Sequence, residues 1–204
     1  MRDEVRLLVF ARAPVPGRAK TRLIPALGEA GAARLAARLA EQTLSRVRDW
    51  NLCPVELWCD PDRHHPFFAL CRRRFGVALH DQQGPDLGAR MHHALADALG
   101  RAQAAVLIGT DCTALQRADI QQAIAALADG RDAVLGPAED GGYYLIGLRR
   151  PEPRLFERIG WGGDTVLAQT RHRLRALGLS WAELAARPDL DRPEDLSAAG
   201  LAGG

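Results

Sequence analysis

The chain has little of what would assign it quickly. None of its four cysteines, Cys53, Cys59, Cys71 and Cys112, forms a C-x-x-C pair or a zinc-type cluster with histidine. That excludes a sequence-legible zinc site and predicts buried, reduced thiols. No apolar run approaches the length of a membrane span, and the N-terminal run Leu7 to Ala11 is too short for a signal-peptide core. A soluble cytoplasmic protein is expected. The net charge of +2 lacks the basic excess of a polyanion groove, which argues against a nucleic-acid partner. No Gly-x-Gly-x-x-Gly follows the first strand, and only Gly17 precedes Lys20-Thr21, so Rossmann and Walker loops are unsupported. Repeats, low-complexity linkers and composition breaks are also missing. With 204 residues, 47% hydrophobic and 25% charged, the chain reads as one domain, residues 1–204, with a sizeable core.

What is present alternates. Val5 to Ala11 is nearly all apolar and reads as a central parallel strand. Glu29 to Trp50 follows as an amphipathic helix, with Leu35, Leu39, Leu44 and Val47 in its buried stripe. Further strands are expected at Val55–Cys59, Gly76–Leu79, Ala104–Gly109, Asp132–Leu135 and Tyr143–Leu148. Helices are expected at Pro66–Arg74, Leu87–Ala102, Ala118–Ala128, Leu155–Ile159 and Asp164–Leu177, with a last one at Pro193–Ala199. This order predicts an α/β fold with right-handed βαβ units and a mainly parallel sheet sandwiched by helices. The later, less regular part leaves room for one antiparallel strand.

In such sheets ligands bind outside the carboxyl ends of the strands. The loop after the first strand carries Arg12, Arg18, Lys20 and Arg22 within eleven residues, shaped by Pro14, Pro16 and Gly17. Taken alone, it is either a phosphate grip or a solvated basic turn. Asp111 ends the fourth strand, and Asp140 lies in the loop after the fifth. Carboxylates and cations on one edge suit a metal–phosphate site, with oxygen ligands for Mg2+ or Mn2+. Each piece also has a plainer reading. Asp111 can be a cap or turn residue, Gly141 and Gly142 a hairpin turn, and Asp191 the cap before Pro193. Asp140 is the candidate general base by position alone. The histidine pairs at 64–65 and 92–93 are read as surface residues. Trp50, Trp58, Trp161 and Trp181 are read as packing residues, with Trp161 the one to test.

Five segments carry a resemblance: Pro14-Val-Pro-Gly-Arg-Ala-Lys-Thr-Arg-Leu23, Asp86-Leu-Gly-Ala-Arg-Met91, Ile108-Gly-Thr-Asp-Cys112, Gly136-Pro-Ala-Glu-Asp-Gly-Gly-Tyr-Tyr-Leu145 and Asp189-Leu-Asp-Arg-Pro-Glu-Asp-Leu196. Over nearly its whole length the chain resembles the selenodomain-associated bacterial transferases, labelled arsenosugar-biosynthesis glycosyltransferases and grouped with the GT-A superfamily. More distantly it is similar to the phospholactate and molybdenum-cofactor guanylyltransferases. The resemblance implies a GT-A, nucleotide-diphospho-sugar transferase-like domain. It implies a nucleotide or nucleotide-sugar donor, a small-molecule acceptor and Mg2+ or Mn2+. By it, Arg18, Lys20 and Arg22 approach the nucleotide phosphates, joined by Arg12 and Gly17. Asp86, Leu87 and Gly88 lie near the nucleotide. Asp111 and Asp191 are the candidate metal ligands, and Lys20, Asp111 and Asp140 the candidate catalytic residues. Gly141, Gly142, Tyr143 and Trp161 face the acceptor.

Three departures from that pattern stand out. Thr113-Ala114 replaces the proline after Asp-Cys, Arg192 replaces a threonine, and Gly162-Gly-Asp164 follows Trp161, where Asp164 is read as a possible helix cap. Glycosyl transfer with release of a nucleoside diphosphate is the first expectation. Nucleotidyl transfer from an NTP, with release of pyrophosphate, is the second. A degenerate site that binds nucleotide without turnover is the third.

Overall fold

The computed structural model describes residues 3–198. Seven strands form one sheet in the order β3-β2-β1-β4-β6-β5-β7. They are β1 (Asp3–Arg12), β2 (Val55–Asp60), β3 (Ala78–Asp81), β4 (Ala102–Ile108), β5 (Ala133–Pro137), β6 (Tyr143–Leu148) and β7 (Trp181–Glu183). β6 runs antiparallel to both its neighbours, and every other pair is parallel. The fold is therefore the α/β architecture, a mainly parallel sheet sandwiched by helices, that the sequence predicts. The single antiparallel strand has a geometric consequence. Lying between β4 and β5, it leaves those two strands parallel to one another. The carboxyl ends of β1, β4 and β5 thus open on the same edge.

Among the described residues five helices pack on the sheet, α1 (Ile24–Trp50), α2 (Pro66–Phe75), α3 (Leu87–Arg101), α4 (Arg117–Ala128) and α5 (Val166–Ala176), while Leu196 of α6 (Pro193–Ala198) joins Leu35 and Leu39 of α1. Alternation along β1 divides the core. Val5, Leu7 and Val9 join Leu44 and Val47 of α1, Phe68 of α2 and Ile120 of α4 on one face. Leu8 and Phe10 join Met91 and Leu95 of α3 and Leu174 of α5 on the other. Full burial of a leucine or phenylalanine contributes about 1.5–3 kcal/mol, so these two layers dominate the stability. Local signals fix the helix ends. Asp86 caps α3 by accepting from the Ala89 amide at 2.8 Å. Gln116 and Asp119 close a reciprocal capping box on α4. Asn51 ends α1 in the left-handed conformation. No helix among the described residues is long and apolar enough to cross a membrane.

Several sequence expectations shift. The first helix begins at Ile24 rather than Glu29, because a turn preceding Gly28 joins it across a kink at that glycine (φ 67°). The third strand starts at Ala78, and the short β7 was not expected at all. The segment expected to be helical over 155–159 is a 3-10 turn at Pro153–Leu155. Asp164 does not cap α5; Thr165 occupies that position, and the helix starts at Val166. Asp191 faces away from the role of cap before Pro193. Its carboxylate turns to the basic loop, while the Asp195 carboxylate accepts from the Asp191 and Arg192 amides at 2.9 and 2.7 Å. The expected last residue of that helix, Ala199, lies outside the described residues. The second histidine of each pair is not a free surface group. His65 caps α2 by accepting from the Phe67 amide, and His93 packs edge-on against the buried Trp58.

Candidate functional site

A cleft of about 580 Å3 opens at the carboxyl edge of the sheet. β1 delivers Arg12 to it, and the loop that follows delivers Lys20 and Arg22. Pro14 and Pro16 prevent the chain from continuing as a strand, and the Ala19 amide folds back onto the Val15 carbonyl. Lys20 itself takes the left-handed conformation (φ 49°, ψ 46°), which few residues with a side chain adopt. Its ammonium is thereby sent inward, with the side chain only 6% exposed.

Lys20 meets residues from two distant parts of the chain. Its Nζ stands 2.9 Å from Asp111 Oδ1, just beyond β4, and 3.7 Å from Asp191 Oδ1, and it donates to the Leu190 carbonyl. Arg22 donates to the other Asp191 oxygen and to the Gly162 carbonyl. The late segment is tied down by the Leu190 amide donating to the Asp111 carbonyl at 3.0 Å, with Leu190 buried between the two aspartates. The residues read as a phosphate grip and those read as metal ligands are therefore in contact.

Asp140 also lines the cleft, at the turn between β5 and β6. Its Oδ1 accepts from the Gly142 amide at 2.9 Å, so the hairpin reading and the site reading both hold for this loop. Gly141 is required by the turn, with φ 90° and the Asp164 carbonyl 2.0 Å from where a Cβ would stand. Gly142, Tyr143, Trp161 and Leu87 line the cleft as well. Gly17, Arg18, Asp86, Gly88 and Gly141 do not. Arg18 is exposed on the outer side of the loop, and Asp86 is occupied as a helix cap. Gly88 acts from behind, since a Cβ there would stand 2.5 Å from the Trp161 ring. Its missing side chain lets the indole seat on α3.

The sequence reading passed over Asp60, Gln82 and Asp189. Asp60 closes β2 between Arg12 (2.7 Å) and Arg90 (2.8 Å), and Gln82 follows β3. Applying the strand-end rule to β2 and β3, as to β4 and β5, finds both. Asp189 stood in a quoted motif, but nothing in sequence separates it from Asp191. Its Oδ1 is buried without a hydrogen-bond partner. Burial, followed by the nearby Asp111 and Asp140, pushes its carboxyl up to about 7; Lys20 opposes them. Cys112, also in the cleft, is held protonated, since burial pushes its thiol up to about 12. A thiolate nucleophile is therefore not offered.

The lining residues include five carboxylates, Asp60, Asp111, Asp140, Asp189 and Asp191, against three cations, Arg12, Lys20 and Arg22. Arg90, just outside the lining, adds a fourth cation on Asp60, and the Asp189 carboxyl is raised to about 7, so the cleft carries little net charge and a divalent cation would tip it toward an anionic ligand. The orphaned Asp189 oxygen and the all-oxygen donor set fit a hard divalent cation of the Mg2+ or Mn2+ type. Among the described residues no three of these groups are already gathered around one point. Asp111 and Asp191 converge on Lys20 instead.

Residues 43–163 match the family model DUF2064, described as an uncharacterized protein conserved in bacteria. No protein with a curated function matches the chain. Among solved structures, a candidate nucleotide-diphospho-sugar transferase from Desulfovibrio desulfuricans is 31% identical. It aligns over 93% of this chain and 83% of its own, with a TM-score of 0.84. 4-Diphosphocytidyl-2C-methyl-D-erythritol synthase from Anaerococcus prevotii shares the fold at 8% identity, over 97% and 96% of the two chains (TM-score 0.63). Glucosyl-3-phosphoglycerate synthase from Mycobacterium tuberculosis, solved with Mn2+ and UDP, shares it at 12% identity over 97% and 75% (TM-score 0.56). The solved neighbours thus include both glycosyl and cytidylyl transferases.

Proposed function

The chain belongs to the DUF2064 family, and from that membership and the geometry of its cleft we propose that it is a metal-dependent transferase using a nucleotide-activated donor. The reaction we assign is glycosyl transfer to a small acceptor, in the cytoplasm, as in the arsenosugar-type transferases it resembles. The observation that carries this reading is the meeting of Lys20, Asp111 and Asp191 at the carboxyl edge of the sheet.

In this proposal Lys20, Arg22 and Arg12 face the donor phosphates. Asp111 and Asp191, with the Asp189 oxygen beside them, are the residues that would hold the metal. A metal bound there would supply positive charge against the leaving diphosphate. The acceptor hydroxyl loses its proton to Asp140 and its oxygen bonds the sugar carbon. The bond from that carbon to the diphosphate breaks, and the electron pair leaves with the nucleoside diphosphate. Charge building on the leaving diphosphate oxygen would be met by Arg12, Lys20 and Arg22, and such electrostatic stabilisation is often the largest catalytic contribution.

The acceptor wall favours glycosyl over nucleotidyl transfer. It presents Asp140, Tyr143 and Trp161, a carboxylate and two aromatic rings. That surface suits an uncharged hydroxyl compound better than the phosphorylated acceptor of a guanylyltransferase-type reaction. The departures at Thr113, Asp164 and Arg192 make binding without turnover the outcome to test against. The test is a panel of nucleotide sugars and NTPs with Mn2+ and mixed acceptors. Release of a nucleoside diphosphate is expected. Pyrophosphate release would establish nucleotidyl transfer, and metal-dependent binding without product would establish a degenerate site.

A further inference from the structure

Lys20 is the only lysine in the chain; every other basic side chain of the Lys/Arg class is an arginine. Its ammonium has three donors, and three acceptors surround it: Asp111 Oδ1, Asp191 Oδ1 and the Leu190 carbonyl. It is a compact point charge, unlike the planar fork of arginine. It therefore stands where a small cation would, between the two carboxylates best placed to ligate one. The left-handed backbone at Lys20 directs it there. Arg22, by contrast, holds the outer Asp191 oxygen and the Gly162 carbonyl, and does not fill the space between the aspartates.

We infer that the Lys20 ammonium and the divalent metal compete for the same oxygens, so that a nucleotide opens the metal site by drawing Lys20 onto its phosphates. This inference rests on the transferase reading above. The chemistry is an exchange of ion pairs. Lys20 leaves two carboxylates for phosphate oxygens, and the metal takes the vacated oxygens, with the unpartnered Asp189 Oδ1 available beside them. Without phosphate, a metal must displace a buried ammonium held by Asp111, Asp191 and the Leu190 carbonyl. Metal and nucleoside diphosphate therefore bind cooperatively, each strengthening the other by the same factor.

The experiment is a titration of Mn2+, followed by electron paramagnetic resonance, into wild type and Lys20→Met. Each is measured alone and with each common nucleoside diphosphate. Lys20→Met alone should bind Mn2+ at least about tenfold tighter than wild type alone, since removing one competing charge at this distance is worth a factor of that order. Nucleotide should tighten Mn2+ binding strongly in wild type and less in the variant. Equal Mn2+ affinity of the two proteins without nucleotide would overturn the inference. Should the variant fail to fold, wild type labelled with [13Cε]lysine decides, because it gives one side-chain signal. That signal should move on adding Mg2+ and a nucleoside diphosphate together, and an unmoved signal in protein that binds both rejects the exchange. Failure of the parent reading looks different: no nucleotide would bind with or without metal, whatever the effect of Lys20→Met on Mn2+ alone.

Discussion

The two ends of the sheet carry two charge clusters built on opposite principles. At the amino-terminal end, Glu56 of β2 is 1% exposed and is surrounded by donors. Arg6 and Arg101 each reach its Oε1 at 2.6 Å, and Trp58 donates its indole N–H to Oε2 at 3.3 Å. His80 stands 3.5 Å from Oε2. One carboxylate there has more partners than it needs. At the carboxyl-terminal end, five carboxylates share four cations, Arg12, Lys20, Arg22 and Arg90, and a buried Asp189 oxygen has no partner. Desolvation raises the carboxyl pKa in both places. At Glu56 the hydrogen bonds from Arg101 and Arg6 outweigh burial and the carboxyl is lowered. At Asp189 burial and its acidic neighbours win and it is raised to about 7. A balanced cluster holds a fold together, whereas an unbalanced one stores cost that a ligand relieves.

The comparison can be broken in four ways. Asp111→Ala should reduce metal-dependent transfer by about 10^3-fold and cost less stability than loss of Glu56, because Lys20 keeps the Leu190 carbonyl and Asp191. Product formation and urea unfolding check the two halves of that statement, and full retained turnover would remove Asp111 from its assigned role. Glu56→Ala should do the reverse. It should cost about 3 kcal/mol in urea unfolding, the bottom of the range for broken buried pairs because both arginines reach solvent. Its turnover per folded molecule should stay at wild-type level. Gly88→Ala should cost about 1–3 kcal/mol and lower acceptor affinity, since its Cβ cannot share space with the Trp161 ring seated in the cleft. A wild-type melting temperature in that variant would show the indole free to move.

The smallest effect is in pH. The Glu56 carboxyl is lowered on folding, so in acid the unfolded chain binds the extra proton and stability rises with pH. Its contribution is complete above the unfolded value near 4.5 and is lost as the pH falls through the lowered folded value. Glu56→Gln should flatten the acid limb of a stability-against-pH curve. An unchanged slope would mean that Glu56 is not held by its arginines.

Much of this was legible in the sequence because it rests on local rules. The apolar run at Val5–Ala11, the periodic stripe of α1 and the alternation of elements give the layered fold directly. The strand-end rule then places Arg12, Lys20, Asp111 and Asp140 on one edge. The short β7 was not legible, since three residues carry too little pattern. The 3-10 turn at Pro153–Leu155 also misled, because a single turn has no periodicity to read. Asp164 and Asp191 each precede a helix and resemble caps. Tertiary partners claimed Asp191 for the basic loop, and Thr165 took the cap of α5.

The sequence by itself determined the parallel α/β plan, the basic loop after β1 and the acidic turns after β4 and β5, because strand and helix signals act over a few residues. Only the tertiary structure decided that Lys20 lies between Asp111 and Asp191, that Asp189 Oδ1 is buried without a partner, and that Trp161 packs on Gly88. Those contacts join positions about 70 to 170 residues apart. Their distances and burial depend on how β6 enters the sheet and how the late segment folds back across its edge.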